Sequence, residues 1–264
     1  FPTDEDDQFP NVMLVGPPQL DAYRGKDWDA MGAQARKKLG IPSHAPIVYY
    51  AGHPEPESPA VLYDLGRAIS RLRSYSGSPA ETVLVVARHG RELTKPVPDN
   101  SAVHRHALRL IARNTGIRVI ENSLGHMNLP PDHPDAIPPE FRPPEFATYQ
   151  ELVCACRSNG VVITGFGTDG FLAGFLGVPA VLYLSPFLLG ALAKREKGVW
   201  SFPLPLVPQP NSAEGLADTI CMWLLDSAQR SERIPWLQEV YPFPGRSPAD
   251  RIAETILSDV ATTA

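Results

Sequence analysis

Val161-Val162-Ile163-Thr164-Gly165-Phe166-Gly167-Thr168-Asp169-Gly170-Phe171 continues through Leu172-Ala173-Gly174-Phe175-Leu176-Gly177-Val178-Pro179 into Ala180-Val181-Leu182-Tyr183-Leu184, and this stretch decides the fold class. It reads as a buried strand, a glycine-rich turn, a short helix and a second buried strand. Strands apolar on both faces belong to parallel sheets covered by helices. Glycines between strand and helix let the backbone approach a ligand, and the helix N-terminus offers free N–H groups to an anion. The stretch therefore predicts a nucleotide or phosphate site in an α/β domain.

Working outward, further strands are expected at Pro46 to Ala51, Thr82 to Ala87 and Ile117 to Ile120, beside Val161 to Thr164 and Ala180 to Leu184, with Met13 to Val15 as an edge strand. Helical patterns lie between them at Pro59 to Tyr75, Ser101 to Asn114, Tyr149 to Ser158 and Gly170 to Leu176. More follow at Pro186 to Lys197, Ser212 to Ala228 and Pro248 to Val260. Alternation of this kind means βαβ units, hence a doubly wound, mostly parallel, Rossmann-like sheet with helices on both faces. The expected organisation is an acidic, disordered stretch over 1–10, a linker or edge segment over 11–45, a nucleotide-binding domain over 46–230 and a helical extension over 231–264. The segment from Leu124 to Pro144 carries seven prolines and no periodicity. Loops that long are often functional or flexible.

Bulk properties narrow the class. A chain of 264 residues suits one large α/β domain, and a net charge of −5 argues against a nucleic-acid binder. Apolar runs are broken by Gly and Pro before they reach spanning length. Cys154, Cys156 and Cys221 fit buried thiols of a reducing compartment, so a cytoplasmic location is expected, with peripheral membrane attachment as the alternative. The chain opens on Phe1-Pro2 rather than Met, from which a longer natural protein is expected.

In open α/β sheets ligands sit outside the carboxyl ends of the strands, where the strand order reverses. Those ends supply the candidate binding residues: Gly52, His53, Arg88, His89, Gly165, Phe166, Gly167, Thr168, Asp169 and Gly170. Arg88 and His89 suit phosphate oxygens, Arg by a two-pronged hydrogen bond. Gly52 lets the backbone close on a ribose or phosphate. Each has a plainer reading. Gly52 serves equally as a turn residue, Arg88 and His89 as a solvated strand end, and Thr168 as a helix N-cap. Asp169 favours the helix dipole but repels a diphosphate, and suits sugar or ribose hydroxyls instead.

Other constellations are weaker. His104 and His106 lie two apart on a helix and cannot share a metal on one face. His126, Asp132 and His133 fall in the proline-rich stretch, and no metal is expected. G-x-G-x-x-G after the first strand, a P-loop lysine motif and a G-x-S-x-G elbow are all missing.

The order of motifs resembles a known family. Val48-Tyr49-Tyr50-Ala51-Gly52 comes first, then the Arg88-His89 strand end and the helix Tyr149-Gln150-Glu151-Leu152-Val153-Cys154-Ala155-Cys156. Last comes Ile163-Thr164-Gly165-Phe166-Gly167-Thr168 with Leu176-Gly177-Val178-Pro179-Ala180-Val181. Together they resemble the C-terminal, nucleotide-sugar-binding half of GT-B glycosyltransferases, and the related UDP-N-acetylglucosamine 2-epimerases and lipid-A-disaccharide synthases. The opening Val12-Met13-Leu14-Val15-Gly16-Pro17-Pro18-Gln19-Leu20-Asp21-Ala22-Tyr23 is similar to the segment where those enzymes leave their N-terminal domain. The likeness spans Val12 to Leu225.

The resemblance implies that Gly52, Arg88, His89 and the Gly165–Asp169 turn face a nucleotide-diphosphate sugar as substrate, with no separate cofactor. Acceptor binding would come from a missing N-terminal domain or a partner subunit. Many relatives carry a ribose-binding glutamate in the helix after the turn. Here that stretch reads Phe171-Leu172-Ala173, and Asp169 is the only carboxylate nearby. Rival expectations are a non-catalytic scaffold of the same fold, or a nucleotide-sugar epimerase or hydrolase using Glu121, His53 and His89. No catalytic residue is assigned.

Overall fold

The computed structural model describes residues 26–52, 58–75, 81–88, 100–165, 168–183, 208–225 and 253. Five parallel strands form one sheet in the order β3-β2-β1-β4-β5. They are β1 (Ile47–Ala51), β2 (Val83–Ala87), β3 (Arg118–Glu121), β4 (Gly160–Thr164) and β5 (Ala180–Leu182). The helices are α1 (Trp28–Leu39), α2 (Ser58–Ser74), α3 (Asn100–Thr115), α4 (Tyr149–Ala155), α5 (Thr168–Phe175) and α6 (Ala213–Leu225). β1 and β4 are buried along their whole length, as a covered parallel sheet requires. The expected elements at Met13 to Val15 and Pro186 to Lys197, and all but residue 253 of that at Pro248 to Val260, lie outside the described residues.

Side-chain alternation along the strands sorts the core into two layers. Tyr49, Val85 and Val162 point to a layer closed by α1, α4 and α5, through Ala35, Leu152 and Leu172. Tyr50, Val86 and Ile163 point to the other, closed by α2, α3 and α6 through Leu65, Leu108 and Ile220. Right-handed crossovers dictate this division. The connections β1–α2–β2 and β2–α3–β3 step one way along the sheet and place their helices on one face. The chain then returns past β1, and α4 and α5 fall on the opposite face.

Helix α1 lies inside the 11–45 stretch, where the sequence reading named no helix. Its buried face is made of Gly32, Ala35, Arg36 and Leu39, too weakly apolar to show a period. The ends are better marked. Asp27 accepts a capping hydrogen bond from the Ala30 amide at 2.9 Å, and Gly40 ends the helix at φ 65°. Gly32 permits a close crossing: a Cβ there would stand 2.4 Å from the Cys154 carbonyl oxygen of α4.

Arg36 is buried without a carboxylate. Its Nε donates to the Ala155 carbonyl at 3.0 Å, Nη1 to Pro42 and Ala45 at 3.0 and 2.8 Å, and Nη2 to Asn159 at 3.2 Å. These acceptors precede β1 and β4, so one guanidinium fixes the amino ends of both central strands.

The proline-rich stretch is folded down onto the domain. It contains two short turns of helix, Leu124–His126 and Pro139–Phe141, and buries His126, Ala136, Ile137 and Phe141. Arg142 donates to the Met127 carbonyl at 2.7 Å, and Arg109 of α3 to Glu140 at 3.0 Å. Proline removes donors but not acceptors, so arginine side chains, Arg142 from within the stretch and Arg109 from α3, supply bonds.

Candidate functional site

The strand order reverses between β1 and β4. Their register is flush, Ala51 opposite Thr164, so Gly52 and Gly165 leave the sheet side by side. The Gly52 amide donates to the Ala87 carbonyl at 2.8 Å and carries the β1–β2 ladder one residue further. On the other flank the Tyr183 amide donates to the Thr164 carbonyl at 2.8 Å. A crevice at this reversal is the general ligand position of open α/β sheets.

From β4 the chain turns at the buried Gly165 into α5, which starts at Thr168. Gly170 packs against the strand end; a Cβ there would lie 3.0 Å from Thr164 Cγ2. Thr164 is 3% exposed and its Oγ1 has no hydrogen-bond partner. Asp169 stands in the first turn of α5, half-buried. Burial pushes its carboxyl above the usual aspartate range, against the pull of its own backbone amide. His53, His89, Phe166, Gly167 and the side chain of Thr168 lie outside the described residues.

Arg88 turns inward. Its Nε donates to Glu121 Oε1 at 2.6 Å, and the side chains are 2% and 0% exposed. Nη2 donates to the Asp135 carbonyl at 2.8 Å, and Nη1 stands 3.5 Å from Ser101 Oγ. The Arg88 amide donates to Ser123 Oγ at 2.8 Å, which in turn donates to Glu121 Oε1 at 3.2 Å. A guanidinium engaged in this way fastens the strand end from within.

Two histidines complete the cluster. His104 Nε2 of α3 lies 3.6 Å from Glu121 Oε1, at ion-pair range but beyond a hydrogen bond. His126, 1% exposed, comes from the proline-rich stretch. His104 Nε2, Glu121 Oε2 and His126 Nδ1 are buried without hydrogen-bond partners. Burial alone would raise the Glu121 carboxyl, but His104 and Arg88 outweigh it and bring the value to about 2. Burial and the Arg88 charge lower His126 to about 4, against the attraction of Glu121 and Asp135.

The structure thus brings Gly52, Gly165, Asp169 and Gly170 to the reversal point, and sets Arg88 and Glu121 together beneath the ends of β2 and β3. His104 and His126 were not expected to join them. A strand-end arginine and a buried carboxylate further along the sequence were the available signal. Among the described residues, no group of three or more His, Cys, Asp or Glu could hold a metal ion. No helix among them is long and apolar enough to cross a membrane.

No family model matches the sequence, and no curated protein matches it. Solved structures do match. One of the wall teichoic acid polymerase TagF superposes with TM-score 0.51 at 16% identity, covering 96% of this chain and 53% of its own. Another TagF structure, with a 30-minute CDPG soak, gives TM-score 0.50 at 15% identity, covering 97% and 52%. The fold is GT-B-like. A UDP-forming trehalose-phosphate synthase from Burkholderia vietnamiensis is similar at TM-score 0.47 and 13% identity, covering 88% and 51%. The GT-B-like chain spans about half the length of the structures it matches.

Proposed function

We propose that this chain binds a nucleotide-diphosphate sugar at the carboxyl ends of β1 and β4 and is the donor-binding half of a glycosyltransferase-like enzyme. The observation that carries this reading is the reversal of strand order between two strands each followed at once by glycine, in a GT-B-like fold. Gly52 and Gly165 let the backbone approach the ligand, and the first turn of α5 offers amide donors. We further propose His53, His89, Phe166 and Gly167 as ligand-binding residues, on the strand-end rule alone. Arg88 acts by holding the end of β2, through Glu121 and Asp135. The acceptor is supplied by a further domain or a partner chain, and the location is cytoplasmic.

Transfer to an acceptor hydroxyl needs alignment, removal of the hydroxyl proton and stabilisation of the leaving diphosphate. Charge neutralisation at the diphosphate falls to the backbone amides of the turn and to His53 and His89.

The test is thermal stabilisation of the purified chain by UDP, GDP, ADP, CDP, TDP and their sugar conjugates at millimolar concentration, with CDPG added because a matching TagF structure was soaked with it. A ligand that binds only the native state raises the melting temperature. A rise confined to one base supports the reading and names the base. No rise with any ligand favours a second reading, a scaffold of the same fold. Leu172, buried in α5 where many GT-B enzymes are expected to carry a ribose-binding glutamate, speaks for that alternative.

A further inference from the structure

We propose that Arg88, Glu121, His104 and His126 form a proton-sensitive latch, which fastens the proline-rich segment 124–144 over the carboxyl ends of β2 and β3 and releases it in acid. The latch ties the paired ends of two neighbouring strands to a helix and to the segment, which share no backbone ladder with them. β2 contributes Arg88, β3 contributes Glu121, and α3 contributes His104 and Ser101. The segment answers with its own main chain: Arg88 Nη2 donates to the Asp135 carbonyl at 2.8 Å. Ser101 Oγ bonds Asp135 Oδ1, and Arg105 of α3 bonds the Pro134 carbonyl. Further out, His133 Nδ1 accepts from the Asp135 amide at 3.0 Å and lies 3.9 Å from Asp135 Oδ2.

His126 is the part that senses protons. The charges acting on its buried ring are Arg88 just after β2, Glu121 from β3, His104 from α3 and Asp135 from its own segment. Nδ1 has no partner in this position. A proton from solvent added there would place an imidazolium beside the Arg88 guanidinium in a site closed to water. Glu121 attracts that charge, but its Oε1 is taken by Arg88 and Ser123 and its Oε2 makes no hydrogen bond to the ring. The ring therefore takes its proton by leaving the cluster, and the segment leaves with it.

Glu121 reinforces the direction. Its carboxylate stays ionised from pH 7 to 4.5 and is the common acceptor of the latch, so only stronger acid removes the anion that both Arg88 and His104 face. Release would uncover the end of β2, next to Gly52, whose amide bonds the residue before Arg88. The latch thereby couples acid to the edge of the ligand crevice, whatever ligand that crevice takes.

The experiment is hydrogen exchange of the full chain, read by mass spectrometry from pH 7 to pH 4.5 and corrected for intrinsic rates. Three proteins are compared: the native sequence, His126→Gln and Ser101→Ala. In the native chain, protection of 124–144 should fall at least tenfold over this range and stay below that of 47–51 and 160–164 at every pH, as a local opening requires. A single proton-linked opening changes by at most about tenfold per pH unit. His126→Gln should abolish most of that pH dependence. Ser101→Ala should lower protection of the segment at pH 7, leaving the sheet unchanged. The proposal is overturned if segment and sheet share one level of protection throughout, if the segment does not respond to pH, or if His126→Gln keeps the native profile.

Discussion

Arg88 Nε and Glu121 Oε1 meet at 2.6 Å between adjacent strand ends, with both side chains shut off from solvent. An ion pair so buried contributes little relative to an apolar substitute, but losing one partner strands a charge. Arg88→Met should therefore lower the unfolding free energy by about 3–5 kcal/mol. The double variant Arg88→Met with Glu121→Leu should recover most of that loss. Urea denaturation at pH 7 measures both.

Acid should act on stability in two windows. The folded value of His126 is depressed to about 4 from the ordinary 6.5, so the folded state resists a proton that the unfolded state accepts. Its contribution is whole above about pH 6.5 and is lost as pH falls through 4, up to about 3 kcal/mol. Glu121, depressed to about 2 from 4.5, contributes stability present above 4.5 and lost toward pH 2. Denaturation curves at pH 7, 5.5 and 4.5 should show the first window, and His126→Gln should flatten it.

Gly32 inside α1 and Gly116 just past the end of α3 should respond differently to the same methyl group. Gly32→Ala drives a Cβ to 2.4 Å from the Cys154 carbonyl oxygen, where only backbone movement gives relief. It should destabilise by about 3 kcal/mol or more. Gly116, at φ 66° with open space around it, should lose only about 1–2 kcal/mol on replacement by Ala, the strain of a left-handed residue. Thermal unfolding of the pair separates contact from conformation.

Asp169 lies where a bound diphosphate would meet a carboxylate in the first turn of α5. If a nucleoside diphosphate binds there, Asp169→Asn should tighten it by about threefold to tenfold, close to 1 kcal/mol. A loss of affinity would instead show that Asp169 accepts hydrogen bonds from ribose or sugar hydroxyls. Calorimetric titration with the diphosphate and its sugar conjugate distinguishes the two.

The central sheet was legible because Ile47–Ala51 and Gly160–Thr164 are short apolar runs with turn residues on their flanks, and burial on both faces demands that composition. Right-handed crossovers were expected, but which strand neighbours which was not legible. Helix α1 was hidden because its inner face carries Gly32, Ala35 and Arg36, whose packing depends on a close approach to α4 rather than on apolar bulk. The direction of Arg88 was equally silent. An arginine after a strand looks the same whether it meets a phosphate or a carboxylate from 33 residues away. Only the Glu121 terminus of β3, apolar but for that residue at its buried positions, hinted at an internal partner.

Arg36 has a consequence for how such a chain can change over time. By bonding carbonyls ahead of both β1 and β4, it anchors the two middle strands from below, and main-chain acceptors place no demand on which side chains surround them. Loops at the opposite rim are then at liberty to lengthen, shorten or exchange residues without unseating the strands they follow. Innovation in ligand preference can proceed at one rim because a single cation has made the other conservative.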